Sequence, residues 1–376
     1  MARYIVRRIL WGILMLILVA ALTFMIFYLL PGADPAVLRA GRDASPTEVA
    51  YIRKELGLSA PIYTQFWNYM KAILLHFNFG YSFYSQQSVL SLIKDRLPAT
   101  LSLTVGAVVL WSLVGIPIGI ISGVLRARPL QSRTRNRMAG VLVVAALIPL
   151  GLLLVSANWA KVTGGIWVLA AIVVGVTLLT KKGTFMERST MGGALAFVSM
   201  PTFWLGFIVL LLFASDIGKF PILPGSSTYV GITVSPWHWF TALILPWFVL
   251  AATQAAIYSR LIRGNLLEVL GEDYIRTARA KGLPERTVIW KHGVRSAITP
   301  VVTVIGIDIA ALLGGAVLTE TVFGIQGIGL LNYNAISDSD LPIVQGTVLL
   351  AAMFIIVLNI IVDISYAWLD PRVTYT

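Results

Sequence analysis

The densest mixture of acidic and basic side chains in this sequence lies between residues 263 and 299. Its centre, from Glu272 to Gly282, alternates charged, small and apolar residues in a pattern typical of an amphipathic helix. Gly282 and Pro284 predict where that helix ends. Small Ala278 and Ala280 would allow another surface to approach closely. The pattern alone leaves two interpretations open, a helix that docks a partner and a solvated loop.

A second candidate is Asp308, an acid near the middle of an otherwise apolar run. An ionised carboxylate is costly inside a membrane unless it faces a cavity or a partner. Asp308 is therefore predicted either to line a solute path or to belong to an internal pair or stay protonated. Gln254 and Tyr258, polar residues of another apolar run, are further candidates for the same path.

No residues are spaced for catalysis or for binding a metal. The chain has no cysteine, and His76, His238 and His292 are scattered. It has no paired carboxylates or nucleophile–base set at catalytic spacing, and no G-x-x-x-x-G-K-[ST] phosphate loop. We therefore predict no catalytic residue, no metal site and no cofactor bound by this chain.

The composition places these residues in a membrane protein. Hydrophobic residues make up 57% and charged residues 12%, with a mean hydropathy of +0.83. Soluble domains carry roughly 25% charged residues, so this composition argues against a soluble fold. The net charge of +12 would suit nucleic acid, but basic residues in so apolar a chain collect beside membrane spans. We predict no nucleic-acid partner.

The predicted fold is all-α, a polytopic bundle of transmembrane helices. An inserted two-helix hairpin at about residues 138–190 is predicted from two weaker runs, Gly140–Ala157 and Gly164–Thr180. The second run is at the short edge of the spanning range, so eight crossings and six both remain open. Each core span has about 20 residues or more, as a bilayer requires. The six core spans are Ile9–Leu30, Leu101–Leu125, Gly193–Ala214, Phe240–Ile262, Pro300–Glu320 and Ile343–Tyr366.

Basic residues predict the orientation. Arg3, Arg7 and Arg8 precede the first span, and further basic residues cluster at 126–137, 181–188 and 260–295. Because such residues favour the cytoplasmic side, both termini are predicted to be cytoplasmic. The acid-free run 126–137 could also bind anionic lipid or RNA, although topogenic charge explains it more simply.

The extracytoplasmic loop between Pro31 and Pro98 is too long for a simple connector. Ser45, Pro46 and Glu48 form a capping pattern that predicts a short helix running toward Leu58. Its second half is rich in aromatic residues, which indicates either anchoring at the membrane surface or contact with a solute or partner. The aromatic residues are Trp67, Tyr69, Phe77, Phe79, Tyr81, Phe83 and Tyr84.

Over nearly the whole chain, except about 138–190, the sequence resembles the membrane subunits of binding-protein-dependent ABC importers, in their dipeptide and oligopeptide branch. The run from Glu272 to Leu283 is similar to the loop that docks onto the ATPase in that branch. Other matches follow in order and are individually weak. They are Tyr4–Arg8, Glu55–Leu58, Pro61–Tyr63, Arg96–Thr100, Pro201–Gly206, Leu223–Gly225, Thr319–Phe323, Pro342–Gly346 and Asp370–Arg372.

Three departures accompany this resemblance. The general importer motif begins Glu-Ala-Ala, whereas Arg276-Thr277-Ala278 stands here, as in the peptide branch. Gln326 occupies a position where relatives commonly have proline, and Asn78 one where many have aspartate. The inserted segment 138–190 is the third departure, and the resemblance assigns it no function.

The resemblance implies a permease subunit in a bacterial or archaeal plasma (inner) membrane. Residues 1–98 would form the first span and the extracytoplasmic loop, and residues 99–376 the core permease with a coupling loop at about 263–299. Implied partners are a second permease, usually a different chain, two ATPase subunits that bind ATP and Mg, an extracytoplasmic solute-binding protein and membrane lipid. The implied ATPase-coupling residues are Glu272, Asp273, Tyr274, Arg276, Thr277, Ala278, Arg279, Ala280, Lys281 and Gly282.

Two other functions compete with this one. An ion-coupled secondary transporter would need several intramembrane ionisable groups, and Asp308 supplies one such group. A membrane-embedded enzyme would need the catalytic set that is missing. Within the importer interpretation the solute stays open, because peptide, glutathione, nickel-chelate and some sugar importers share this architecture.

Overall fold

The computed structural model describes residues 2–29, 34–40, 44–55, 57–76, 78–127 and 200–369. Apart from two isolated β-bridges, the regular structure of these residues is helical, which confirms the all-α prediction. The helices are α1 (Ala2–Leu29), α2 (Pro35–Ala40), α3 (Pro46–Glu55), α4 (Ile62–His76), α5 (Val89–Ala127), α6 (Thr202–Phe213), α7 (Pro236–Gly271), α8 (Asp273–Ala280), α9 (Glu285–Thr287), a π-helix (Val288–Val294), α10 (Arg295–Leu313), α11 (Val317–Phe323), α12 (Ile328–Ser337) and α13 (Leu341–Leu369).

Within the described residues, five helical stretches are long and apolar enough to cross a membrane. They are Val6–Ile26, Val89–Val124, Pro236–Gly271, Glu285–Leu313 and Leu341–Ser365. These match five of the six predicted core spans. The remaining span, Gly193–Ala214, is represented by the shorter apolar helix α6, and its first residues lie outside the described part of the chain. The predicted hairpin at about 138–190 also lies outside it.

Two span boundaries differ from the prediction. Helix α5 begins at Val89, well before Leu101, because buried Val89 and Ile93 pack into a core with α12 and α13. The predicted span Pro300–Glu320 is wrong in its last part, since α10 ends at Leu313. Gly315 has φ +119° and touches Gly329 so closely that a Cβ would lie 2.6 Å from its Cα. The chain therefore turns here and restarts as α11.

The short helix predicted after Ser45 is present as α3. The Ser45 Oγ accepts a hydrogen bond from the Glu48 backbone N–H at 3.3 Å, as an N-cap does. Helix α4 follows and packs on α1, where the Phe24 ring contacts Phe66 and Tyr69 at centroid distances of 5.4 and 5.5 Å. The loop is thus largely helical over its described residues.

The residues divide into two compact units. The first comprises Met1–Leu101, Gly306–Thr321 and Gln326–Thr376. In it α1 packs along α13, and a Cβ on Gly12 would lie 2.6 Å from Ile356. The Arg8 guanidinium pairs with Asp363 at 2.5 Å, so the acid near the end of this span has a basic partner on α1.

The second unit comprises Ser102–Ile305 and Val322–Ile325. Here α5 presents a row of glycines, Gly115, Gly119 and Gly123, to α7. A Cβ on Gly115 or Gly119 would lie under 3 Å from the α7 backbone, so the small residues permit close helix packing. The proposed division of the chain at residue 98 stays a prediction.

Candidate functional site

The charged segment forms a separate two-turn helix, α8, directly after α7. The two helices are divided at Glu272, whose backbone is extended (φ −67°, ψ 151°). Its carbonyl oxygen accepts hydrogen bonds from the N–H groups of Ile275 and Arg276 at 3.1 and 3.2 Å. The turn at Glu272 therefore ends α7 and starts α8 in a new direction.

The end of α8 is a glycine-capped Schellman turn. The Gly282 N–H donates to the Arg279 carbonyl at 2.9 Å, and the Leu283 N–H donates to the Ala278 carbonyl at 3.4 Å. Gly282 has φ +75°, a left-handed backbone that suits glycine. The helix stop predicted at Gly282 is confirmed.

One face of α8 is buried and the other is exposed. Ile275 is 0% exposed and Ala278 8% exposed, and the helix contacts both the end of α7 and the π-helix. Ala278, a predicted coupling residue, thus faces inward. The other predicted coupling residues are at the surface, except for half-buried Arg279. They are Glu272, Asp273, Tyr274, Arg276, Thr277, Ala280, Lys281 and Gly282.

Two ion pairs differ in their setting on this helix. Arg276 pairs with Asp273 at 3.3 Å, and their side chains are 72% and 95% exposed. Arg279 reaches across the Gly282 turn, and its Nε and Nη2 donate to the two oxygens of Glu285 at 3.3 and 3.1 Å. This bidentate pair ties α8 to α9. Glu285 was not among the predicted site residues, although its position just beyond Gly282-Leu283-Pro284 placed it near the turn.

A π-helix joins this region to α10. It covers Val288–Val294, and a Cβ on Gly293 would contact Leu266 and Leu270 of α7 at 3.4 and 3.2 Å. Helix α8 is therefore held between the ends of two candidate spans, α7 and the π-helix–α10 segment. A displacement of α8 would act directly on both.

The three predicted path residues lie on α7 and α10. Tyr258 is 0% exposed and stacks on Trp111 at a centroid distance of 5.9 Å. Gln254, one turn earlier on α7, is half-buried. Asp308 is half-buried on α10. Their role in a solute path stays a prediction.

A buried carboxylate that was not among the predicted site residues lies on α11. Glu320 is 0% exposed. It accepts hydrogen bonds from the Thr100 hydroxyl on Oε1 and from the Leu330 N–H on Oε2, both at 2.9 Å. The Thr100 hydroxyl oxygen also accepts from the Ile328 N–H at 2.8 Å. Glu320 thus fixes the start of α12 against α5.

A second buried carboxylate, Asp340, holds the loop before α5. It is 2% exposed and accepts from the N–H groups of Phe83 and Tyr84 at 3.1 and 3.3 Å, and from the Ser82 hydroxyl. Sequence reasoning missed this residue. The one signal was its place directly before Leu341 and Pro342, where an acid can begin a helix.

Two family patterns match the sequence. The one described as the inner membrane component of binding-protein-dependent transport systems matches residues 168–375. The one for the N-terminal part of such membrane components matches residues 1–104. The two leave residues 105–167 unmatched, an interval that includes the first part of the predicted insertion.

Several bacterial relatives are similar over their full length and that of this chain. A putative peptide transport system permease protein of Brucella abortus is 36% identical over 379 residues, covering 100% of both chains. A probable peptide ABC transporter permease protein of Sinorhizobium fredii is 33% identical over 375 residues, again covering 100% of both. A glutathione transport system permease protein of Salmonella choleraesuis has the same identity and coverage.

Proposed function

The chain belongs to the family of inner membrane components of binding-protein-dependent transport systems, and from this we propose that it is the permease subunit of an ATP-driven importer of short peptides. It is a multi-pass inner membrane protein. The observation that carries the proposal is the full-length similarity to relatives named for peptide transport. The similar glutathione permease is compatible with it, because glutathione is itself a short peptide.

ATP hydrolysis is assigned to separate subunits. The sequence contains no phosphate-binding loop, so two partner ATPase subunits would bind ATP and Mg. A second permease chain would complete the membrane part, and an extracytoplasmic binding protein would deliver the solute. An ion-coupled secondary transporter is not favoured by the family match.

Helix α8 is proposed as the part that the ATPase moves. Its exposed face offers Asp273, Tyr274 and Arg276 to a partner, while Ile275 and Ala278 anchor the opposite face. The Arg279–Glu285 pair and the Gly282 turn hold α8 to the next segment. A partner that binds this face differently in two nucleotide states would bias the orientation of the spans, as a ligand-driven switch requires.

The path residues are proposed from the sequence. Gln254 and Tyr258 are proposed as path residues on α7, and Asp308 on α10 is proposed to line a solute path. If it does, Asp308→Asn should change uptake of cationic peptides more than uptake of neutral ones. An equal effect on both classes would contradict a path role for this carboxylate.

The first experiment is to purify the tagged full-length chain from its native host in mild detergent and to identify the proteins that copurify with it. ATPase subunits and a second permease are expected, together with uptake of a labelled dipeptide that requires ATP. If the chain runs alone even after crosslinking in cells, and an ion gradient drives uptake, the importer proposal fails.

A matched pair of variants then tests the role of α8. Arg276→Ala removes an exposed arginine and its pair with Asp273, and Arg53→Ala does the same to the exposed pair with Asp34. Arg276→Ala should lower copurification of the ATPase and uptake, whereas Arg53→Ala should leave ATPase copurification unchanged. Equal ATPase binding in the two variants would exclude this face as the docking surface.

A further inference from the structure

A cavity of about 350 Å³ lies in the first unit. Its walls come from α1, α2, α4 and the start of α13, with the turn at Gly57–Leu58 and the loop from Asn78 to Phe83. By the predicted orientation it lies at the extracytoplasmic ends of α1 and α13. A single water needs a cavity volume of roughly 10–15 Å³, whereas small-molecule sites begin at roughly 300 Å³. The cavity is therefore large enough for a small molecule or for part of a larger one.

One part of the lining is aromatic and firmly held. Phe24 is buried and its ring contacts Tyr69, and Phe79 packs against two buried apolar clusters of the unit. These contacts make the wall a preformed apolar surface. The aromatic lining residues are Phe24, Tyr69, Phe79, Tyr81 and Phe83.

The other part of the lining is polar, and it includes a hydrogen-bond donor that has no acceptor. Gln345 is only 5% exposed, and its Nε2 makes no hydrogen bond to any described residue. Arg39 also lines the cavity, and its guanidinium pairs with Glu55 at 3.3 Å. The side-chain oxygen of Asn78 is already used, because it accepts from the Gly80 N–H at 2.9 Å. A buried donor without an acceptor costs about 1–3 kcal/mol, so a ligand with oxygen acceptors would be favoured here.

The surface beside the cavity indicates where the ligand comes from. Tyr63 and Trp67 lie on α4, one of the helices that line the cavity, and both are exposed. Exposed tyrosine and tryptophan are typical of the level at which lipid headgroups meet hydrocarbon. At that level, the abundant molecules that combine oxygen acceptors with an apolar chain are phospholipids.

We propose that this cavity binds one phospholipid of the outer leaflet. Its phosphodiester lies at Arg39, an ester carbonyl oxygen accepts from the Gln345 amide, and the first part of an acyl chain lies on the aromatic wall. Because Glu55 offsets the charge of Arg39, binding depends on the phosphodiester and the carbonyls rather than on net headgroup charge. Phosphatidylethanolamine and phosphatidylglycerol should therefore bind with similar affinity. The proposal does not depend on the transported solute.

Three variants separate this site from general lipid contact. Gln345→Leu removes the amide donor and puts an apolar side chain in its place, without leaving a new unpaired group. Ala72→Leu adds bulk at a lining position of α4. Gln87→Leu is the matched control, since it makes the same chemical change at an exposed residue outside the cavity.

The test is native mass spectrometry of the full-length chain, with any copurifying subunits, after detergent delipidation and re-addition of an equal mixture of the two lipids. Wild type and Gln87→Leu should retain one tightly bound lipid. Both cavity variants should bind it more weakly. Gln345→Leu should lower the affinity about tenfold, the loss expected for one hydrogen bond of about 1.4 kcal/mol, and Ala72→Leu should lower it by filling part of the cavity.

Three results would overturn the proposal. The first is equal lipid retention in all variants, since Ala72→Leu tests the cavity even if Gln345→Leu does not fold. The second is displacement of the lipid by glycerol phosphate, which would make this a site for free phosphate. The third is retention of a short peptide, but of neither lipid, in the wild-type cavity.

Discussion

The α11–α12 region and helix α8 each connect two candidate spans, and each carries acidic side chains. In the first region Glu320 is fully buried and accepts hydrogen bonds from a hydroxyl and a backbone N–H. In the second, Asp273 is almost fully exposed and pairs with Arg276 of its own helix. An acidic side chain thus fixes the backbone in one region and lies exposed at the surface in the other.

The difference follows from the cost of burying charge. A buried carboxylate is tolerated only when hydrogen-bond donors surround it, and those donors then become dependent on it. An exposed carboxylate is solvated, so it stabilises the fold little and stays available to a partner. Removing acids should therefore damage the fold in the α11–α12 region and damage partner binding at α8.

The largest effect is expected at Glu320. Glu320→Ala leaves the Leu330 N–H and the Thr100 hydroxyl without their acceptor and opens a void, so the free energy of unfolding should fall by about 3 kcal/mol. Denaturant unfolding of the purified protein measures this. Glu268→Ala, at an exposed acid of α7, is the control and should change little. Equal stability of the two variants would remove the distinction between the regions.

The next effect is expected at the Gly282 turn. A Cβ on Gly282 would meet no atom within 4 Å, and the same is true of Gly264 within α7. Of these two glycines, Gly282 has positive φ and Gly264 does not, so Gly282→Ala should destabilise by about 1–2 kcal/mol, whereas Gly264→Ala should stabilise by up to about 1 kcal/mol. Thermal unfolding of both variants checks the sign. Stabilisation by Gly282→Ala would mean that the left-handed turn is not required.

The Arg279–Glu285 pair should give a smaller effect. Both side chains are about one third exposed and meet in bidentate geometry, so solvent screening leaves a coupling energy of about 1 kcal/mol. A double-mutant cycle with Arg279→Ala and Glu285→Ala measures it. A coupling near zero would show that the pair does not hold α8 to α9.

The smallest effect on stability is expected at the exposed pair on α8. Asp273→Ala and Arg276→Ala should each change the free energy of unfolding by less than about 0.5 kcal/mol, because both side chains are largely in solvent. Unfolding and ATPase copurification should be measured on the same preparations. A loss of stability as large as that of Glu320→Ala would mean that these charges support the fold rather than a partner.

Much of the fold was predictable from local sequence. Apolar length predicted the spans, the Ser45 cap predicted α3, and Gly282 followed by Pro284 predicted the end of α8. These signals are local because a helix satisfies its backbone within itself and a membrane selects for apolar length. Amphipathic patterning predicted the charged helix but did not assign Ala278 to its buried face.

The sequence by itself therefore determined the membrane class, the helical spans and the position of the charged helix, through composition, periodicity and capping residues. Only the tertiary structure decided that the span from Pro300 breaks at Gly314, that Glu320 and Asp340 are buried acceptors, and that Gln345 lines a cavity. Each of these depends on residues far apart in the chain, such as Thr100 with Glu320 or Ser82 with Asp340. Such partners cannot be predicted from local sequence, because the free-energy cost of burying a polar group depends on the groups that the fold places beside it.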